Sequence, residues 1–190
     1  MKKSINLIVV LTFTAILSGT ILAFLNSVTK PMIEAHAAEI LKNAITEVLP
    51  GTDSYETKVI EDVKFYIGKD NVAFLAVGNG FQSKLKILVG MDMKMEKILS
   101  VKILEQMETP GLGTKIENDP SNKENAGWFY KQFANLNLAQ NKISYLKNEK
   151  PCKEEAEIMA ITGATISSKA VVDILNAAIK KNRKIFLSRG

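Results

Sequence analysis

One cysteine, Cys152, and one histidine, His36, are the only thiol and the only imidazole in this 190-residue chain. No intramolecular disulfide can form, and neither a Cys/His zinc site nor a cysteine-ligated iron–sulfur cluster can be assembled. A Cys–His or Ser–His pair would have to use His36, close behind a long apolar run, a poor place for a catalytic base. The sequence therefore gives no metal site and no catalytic residue set. Aromatic residues are scarce, at 7%, and no basic stripe interleaved with aromatics is present, so a nucleic-acid partner is not expected. The Gly78-Asn79-Gly80 cluster lacks the third glycine and the following helix of a dinucleotide fingerprint and reads as a turn. Internal repeats and low-complexity tracts are absent. Chemistry in this chain is carboxylate chemistry or is brought by a cofactor.

What is present is ordinary in bulk and uneven in distribution. Apolar residues make up 46% and charged residues 24%, values that support a packed core and argue against disorder. The net charge is +5, with Lys2 and Lys3 at one end and Lys180, Lys181, Arg183, Lys184 and Arg189 at the other. The C-terminal cluster reads as a solvated helix end, where cations suit the dipole. Attraction to anionic lipid or an acidic partner is the second reading.

Ile5 to Leu25 is an unbroken uncharged apolar run. At helical rise it reaches roughly 30 Å, the thickness of a bilayer core. It exceeds the apolar core of a cleaved signal, and no convincing small-residue cleavage site follows. An uncleaved anchor is expected, with residues 1–4 as a cytoplasmic tail, 5–25 as the transmembrane helix and 26–50 as a juxtamembrane linker helix. Lys2 and Lys3 precede the span and only Lys30 follows closely, which keeps the N-terminus inside and puts residues 51–190 on the extracytoplasmic side of the cell (inner) membrane. Ala15, Gly19 and Ala23 recur every fourth position and form a small-residue stripe suited to neighbouring membrane helices.

Beyond the span, Ile33, Ala37, Ile40, Leu41, Ala44, Ile45 and Val48 have helical spacing, with Pro31 suited to a first turn and Pro50-Gly51 as the stop. Val63–Ile67, Val72–Val77, Leu85–Met91 and Ile98–Glu105 read as a meander of antiparallel strands separated by turn clusters. Asn125–Phe133 reads as a short helix turning Trp128, Phe129 and Phe133 to a core, and Lys142–Lys150 as loop or edge strand. A last helix, capped by Ser167 or Ser168, carries Val171, Leu175, Ala178 and Ile179 on one face. Strands followed by flanking helices, without βαβ alternation, give an α+β class with a mainly antiparallel sheet.

Thr162-Gly163-Ala164-Thr165 stands immediately before that cap. A small turn leading into a helix N-terminus suits a phosphate, because free N–H groups and the positive end of the dipole meet there. The hydroxyls at 162 and 165 can hydrogen-bond a phosphate, or one can be esterified to it. A plain strand-to-helix turn with a serine cap is the bland alternative. A second unusual segment, Glu108-Thr109-Pro110-Gly111-Leu112-Gly113, interrupts the strands with closely spaced breakers.

Together these two segments resemble the FMN-binding domain family, which includes the G subunit of the Rnf electron-transport complex and the C subunit of the sodium-pumping NADH:quinone reductase. The family's flavinylation motif corresponds to Thr162–Thr165 followed by Ile166-Ser167-Ser168, and its E-T-P-G-L-G loop to Glu108–Gly113. The anchor and strand order agree, so the resemblance covers nearly the whole chain. It implies FMN joined through its phosphate to Thr165 by a dedicated flavin transferase. It also implies a cofactor site of Thr162, Gly163, Ala164, Ser167, Glu108, Thr109, Gly111, Leu112 and Gly113. Met159 stands where members often carry an acid three positions ahead of the motif, with Glu157 nearby but out of register. The implied role is an electron carrier, not catalytic by itself, within a membrane-bound ion-translocating complex of the ferredoxin:NAD type, partnered by its other membrane subunits. Lys115 and Lys169 are candidates by sequence position to stabilise anionic flavin, with a solvated surface lysine the favoured reading of each. Trp128 and Phe129 could stack on it, though such a pair is more often core. On the residues alone, a membrane-anchored phosphate-ligand domain or an assembly subunit without redox activity stays open.

Overall fold

The computed structural model describes residues 2–52, 54–147 and 149–189, and their side chains except those of 2–4 and 189. Met1 of the expected tail, the side chains of Lys2 and Lys3, and that of Arg189 lie outside the described residues. The chain divides into two compact units, one up to Leu41 and one from Lys42 onward.

The first unit belongs to a single helix, α1 (Lys2–Val48). From Ile5 to Glu39 every side chain is exposed, apolar ones included. An apolar helix with no buried face has no core of its own to join. Several of its hydroxyls are satisfied locally: those of Thr14, Thr20 and Thr29 donate to the carbonyls of Val10, Ile16 and Leu25, one turn back. This helix is long and apolar enough to cross a membrane. Pro31 does not open a helix, as its spacing predicted, but lies inside α1. The missing N–H costs one hydrogen bond, and the helical pattern on both sides of it is strong enough to continue.

In the second unit, strands β1 (Glu56–Ile60), β2 (Val63–Ile67), β3 (Asn71–Asn79), β4 (Lys84–Asp92) and β5 (Ile98–Glu105) form one antiparallel sheet in sequence order. The expected meander is observed, with β1 added at its edge. Turn chemistry sets the registers. Gly68 N–H donates to Asn71 O at 2.8 Å to close β2 onto β3, and Asp92 Oδ1 accepts from Glu96 and Lys97 N–H, both at 2.8 Å, to close β4 onto β5. The Gly78-Asn79-Gly80 cluster is a turn only in its last residue. Gly78 and Asn79 continue β3, and Gly80 N–H donates to Ser83 O across the turn.

The rest of the unit is α2 (Trp128–Lys131), β6 (Ser144–Leu146), β7 (Glu157–Met159) and α3 (Thr165–Arg189), with a 3-10 turn at Gly113–Ile116. Strands β6 and β7 pair in parallel, which the sequence pattern did not predict. Three residues each, they are too short to show a period.

Both faces of the sheet are covered. A Cβ on Gly78 would lie 2.4 Å from Ile174 Cγ1, so α3 sits against the face of β3 that carries Phe74, Ala76 and Gly78. Val171, Leu175 and Ile179 of α3 are buried in the same cluster as Phe65, Phe74 and Val89. On the opposite face, through Ala73 and its partner Gly90, sits the end of α1: a Cβ on Gly90 would lie 2.1 Å from Val48 O. Ala44, Ile45, Val48 and Leu49 are buried there, and Lys102 Nζ on β5 pairs with Glu47 at 2.9 Å. Gly90→Ala is expected to destabilise the domain by about 1–3 kcal/mol through overpacking, read by thermal unfolding. An unchanged midpoint would mean that this helix end does not rest on the sheet in solution.

Candidate functional site

Glu108 organises the region where the two unusual segments meet. Its residue is 3% exposed, and a buried carboxylate needs donors for its lone pairs. Oε1 accepts from Gln82 N–H and Ser83 N–H at 3.0 Å each and from Ser83 Oγ at 3.2 Å; Oε2 accepts from Phe81 N–H at 3.1 Å and Ser167 Oγ at 2.7 Å. One side chain thus ties the β3–β4 turn, the 108–113 loop and the first turn of α3. Burial pushes the Glu108 carboxyl up. The Ser167 hydroxyl and the Gln82, Ser83 and Phe81 N–H groups outweigh that and hold it below the ordinary glutamate value.

The loop after Glu108 is shaped by that packing. A Cβ on Gly113 would lie 2.6 Å from Glu108 Cβ and 2.9 Å from Ser167 Oγ, so only glycine lets the loop close over the carboxylate. Gly111 has φ +74 and open space around it, so its requirement is conformational. Thr109 O accepts from Leu112 N–H and Thr114 N–H, and Thr109 Oγ1 donates to Gln82 Oε1 at 3.0 Å.

Across from the loop, Gly163 at φ +82 turns the chain into α3, which begins at Thr165. The expected cap is displaced. Ser167 and Ser168 lie inside the first turn, where Ser167 serves Glu108 and Ser168 Oγ accepts from Ile161 N–H while donating to Ala164 O. Ala164 precedes the helix without a capping side chain, so the first-turn N–H groups gain no side-chain acceptor from it.

Between these walls lies a cleft of about 340 Å³, lined by Phe81, Thr109, Leu112, Gly113 and the run Gly163–Ser167. Seven of the residues named from sequence meet here: Thr109, Leu112, Gly113, Gly163, Ala164, Thr165 and Ser167. Glu108 stands behind the wall, Gly111 bends the loop, and Thr162 is exposed beside Gly163. Thr165 is half-buried at the first position of α3. Phe81 and Ile166 were missed by the sequence reading. The signal available for Phe81 was an aromatic residue in a turn of glycine and polar residues.

Other candidates lie elsewhere. Lys115 pairs with Asp119 at 3.6 Å and Lys169 with Asp173, and neither lines the cleft. Phe129 is core, and Trp128 Nε1 donates to Asp119 Oδ2 at 2.9 Å. The Ser121 hydroxyl and that indole N–H, opposed by burial and helped by Ser121 N–H and Lys115, hold Asp119 down at about 2. Met159, at the end of β7, has its N–H and carbonyl held by the side-chain amide of Gln132, which follows α2. Among the described residues no group of His, Cys, Asp and Glu could hold a metal ion.

Fold and cleft together define an α+β domain whose site combines hydroxyls and a helix N-terminus with apolar side chains. The chain belongs to the FMN-binding domain family, which matches residues 80–180. It is 28% identical over 192 residues to the G subunit of the ion-translocating oxidoreductase complex of Methanosarcina acetivorans, covering 94% of each chain. It is 27% identical to the G subunit of the proton-translocating ferredoxin:NAD(+) oxidoreductase complex of Clostridium ljungdahlii, covering 90% of this chain and 87% of that one. Among solved structures, the C subunit of the Na(+)-translocating NADH-quinone reductase of Parabacteroides distasonis superposes with a TM-score of 0.52 at 21% identity, over 67% of this chain and 63% of that one. NqrC of Shewanella oneidensis gives 0.55 at 15% identity, over 75% and 73%. These structures share the fold.

Loss of the Ser167 hydroxyl in Ser167→Ala is expected to cost about 1.5–3 kcal/mol, as for a hydrogen bond to a charged group. Because the folded Glu108 carboxyl lies below its unfolded value, its stabilisation is present above the ordinary glutamate range and is lost as pH falls through the folded value. Glu108→Gln should therefore flatten the acid limb of stability against pH. An acid limb identical to that of the native protein would show that the carboxylate is not held as described.

Proposed function

We propose that this chain is an electron-transfer subunit of a membrane-bound, ion-translocating redox complex of the ferredoxin:NAD type, working through FMN esterified to Thr165. The observation that carries the reading is the meeting of the Thr162–Thr165 turn and the Glu108–Gly113 loop around one cleft. Family membership supports FMN as the ligand, and the relatives' names support the kind of complex.

The residues present suit FMN. The first-turn N–H groups of α3 and its positive dipole end favour a phosphate beside Thr165. Thr165, half-buried at that position, carries the acceptor hydroxyl. A flavin transferase would move the FMN phosphoryl group onto it from a flavin dinucleotide, the pyrophosphate bond breaking, the nucleoside monophosphate leaving and the hydroxyl giving up its proton. Thr162, outside the helix and exposed, is the reserve hydroxyl. Leu112 and Ile166 offer apolar surface to a planar ring, and Thr109 and Gly113 line the remaining wall. The flavin supplies the redox chemistry when bound; the protein supplies placement and electrostatics.

A covalent tether makes retention independent of affinity. That matters on the extracytoplasmic side, where no pool of free FMN can refill an empty site. We assign the second unit to that side, residues 5–25 to the span, residues 1–4 to the cytoplasm and residues 26–50 to the connection into domain 51–190. The Ala15, Gly19 and Ala23 face, exposed along α1, is the contact for other membrane subunits.

Peptide mass spectrometry of protein from its native membrane is expected to find esterified FMN on the peptide containing Thr165. Thr165→Val is expected to remove the covalent flavin and leave the circular dichroism spectrum unchanged. An unmodified native peptide would leave a phosphate-ligand or assembly role as the better reading. Covalent flavin surviving in the variant would move the attachment, first to Thr162.

A further inference from the structure

Phe81 is out of place by every local rule. It sits in the turn between β3 and β4, followed by Gln82 and Ser83, where small and polar residues are favoured. It is 60% exposed. Every other phenylalanine from Lys42 onward is buried, namely Phe65, Phe74, Phe129, Phe133 and Phe186. An exposed phenyl forgoes about 1.5–3 kcal/mol of burial, and a residue that breaks local rules without a structural return marks a site of function.

Two further observations give the exposed ring a task. Leu112 at 48% and Ile166 at 61% exposure come from two other segments and line the same cleft, so three large apolar side chains surround one opening. The backbone beneath Phe81 is fixed, because Glu108 takes the N–H groups of Phe81, Gln82 and Ser83 together. A loose turn could fold its aromatic ring away; this one is clamped at three successive amides. A rigid, exposed aromatic beside an apolar cleft is a preformed platform for a planar ligand.

We propose that Phe81 is a cofactor-contacting residue that packs on the isoalloxazine and forms one wall of the flavin site, with Glu108 as its positioning residue. The assignment rests on the FMN reading above. On this assignment Phe81 shields one part of the ring from water, while the phosphate end stays fixed by α3.

The test uses the full-length flavinylated protein, with flavin occupancy fixed beforehand by intact mass. Indole in contact with an excited flavin quenches it by reversible electron transfer, whereas phenyl does not. Trp128 is engaged with Asp119 and does not line the cleft. Phe81→Trp should therefore show several-fold weaker flavin emission and a shortened lifetime at unchanged occupancy. Phe81→Ala should show the reverse kind of change, a several-fold larger iodide quenching constant as the ring is uncovered. Glu108→Gln introduced into the Phe81→Trp protein should restore part of the emission by loosening the platform. Native-like emission in Phe81→Trp together with native-like iodide quenching in Phe81→Ala would overturn the proposal, with FMN on Thr165 still intact. A native protein without flavin by mass would instead sink the parent reading and this one with it.

Discussion

A carboxylate taken out of water must be surrounded by donors or it does not stay ionised, and in this protein the donors come from two distant places in the chain. Glu108 draws in the amides of Phe81–Ser83 and the hydroxyl of Ser167, residues that have no other reason to be neighbours. The glycines around it follow from that demand. Gly113 lacks a side chain because the carboxylate and Ser167 fill its place, and Gly80 is similarly close, with a Cβ there only 2.5 Å from Glu108 Oε1. The cleft exists because these segments are held at a fixed spacing by a group that lies behind its wall.

That division of labour separates support from contact. Glu108 is buried and does not line the cleft, whereas Thr109, Leu112 and Gly113 do. On the first turn of α3 the two roles are closer together: Ser167 lines the cleft while its hydroxyl donates to the buried carboxylate, and Thr165 is left half-exposed at the opening. Neighbouring positions on a helix point in different directions, so a single turn of α3 serves both purposes. An open site of this kind is poor at retaining a ligand by burial, which is the physical argument behind the covalent attachment proposed above.

Much of this was legible in the sequence because it obeyed a period or a turn rule. β2 and β5 have the residues that alternation and turn clusters assigned them, and the buried stripe of α3 contains the predicted Val171, Leu175 and Ile179. The two segments that meet at the cleft were singled out by their joint resemblance to the family's motifs; only Glu108–Gly113, with its closely spaced breakers, stood out from composition as well. What was not legible depended on partners distant in sequence. The start of α3 fell two residues ahead of the expected cap because Ser167 is recruited by Glu108, across 59 positions. The turn in Gly78–Gly80 slid forward because Ile174 of α3 occupies the space above Gly78. Phe81 carried no period at all; its place at the cleft depends on a clamp that no local pattern encodes.

The strand order of the large sheet, each strand beside its neighbour in sequence, has a consequence for the order of folding. Residues 56–105 hold every strand pairing of that sheet, so the meander can form from local contacts without the rest of the domain. The helix that covers its Phe74 face does not begin until Thr165. A sheet formed alone would leave much of that face uncovered, and α3, about sixty residues beyond β5, both shelters it and completes the cleft.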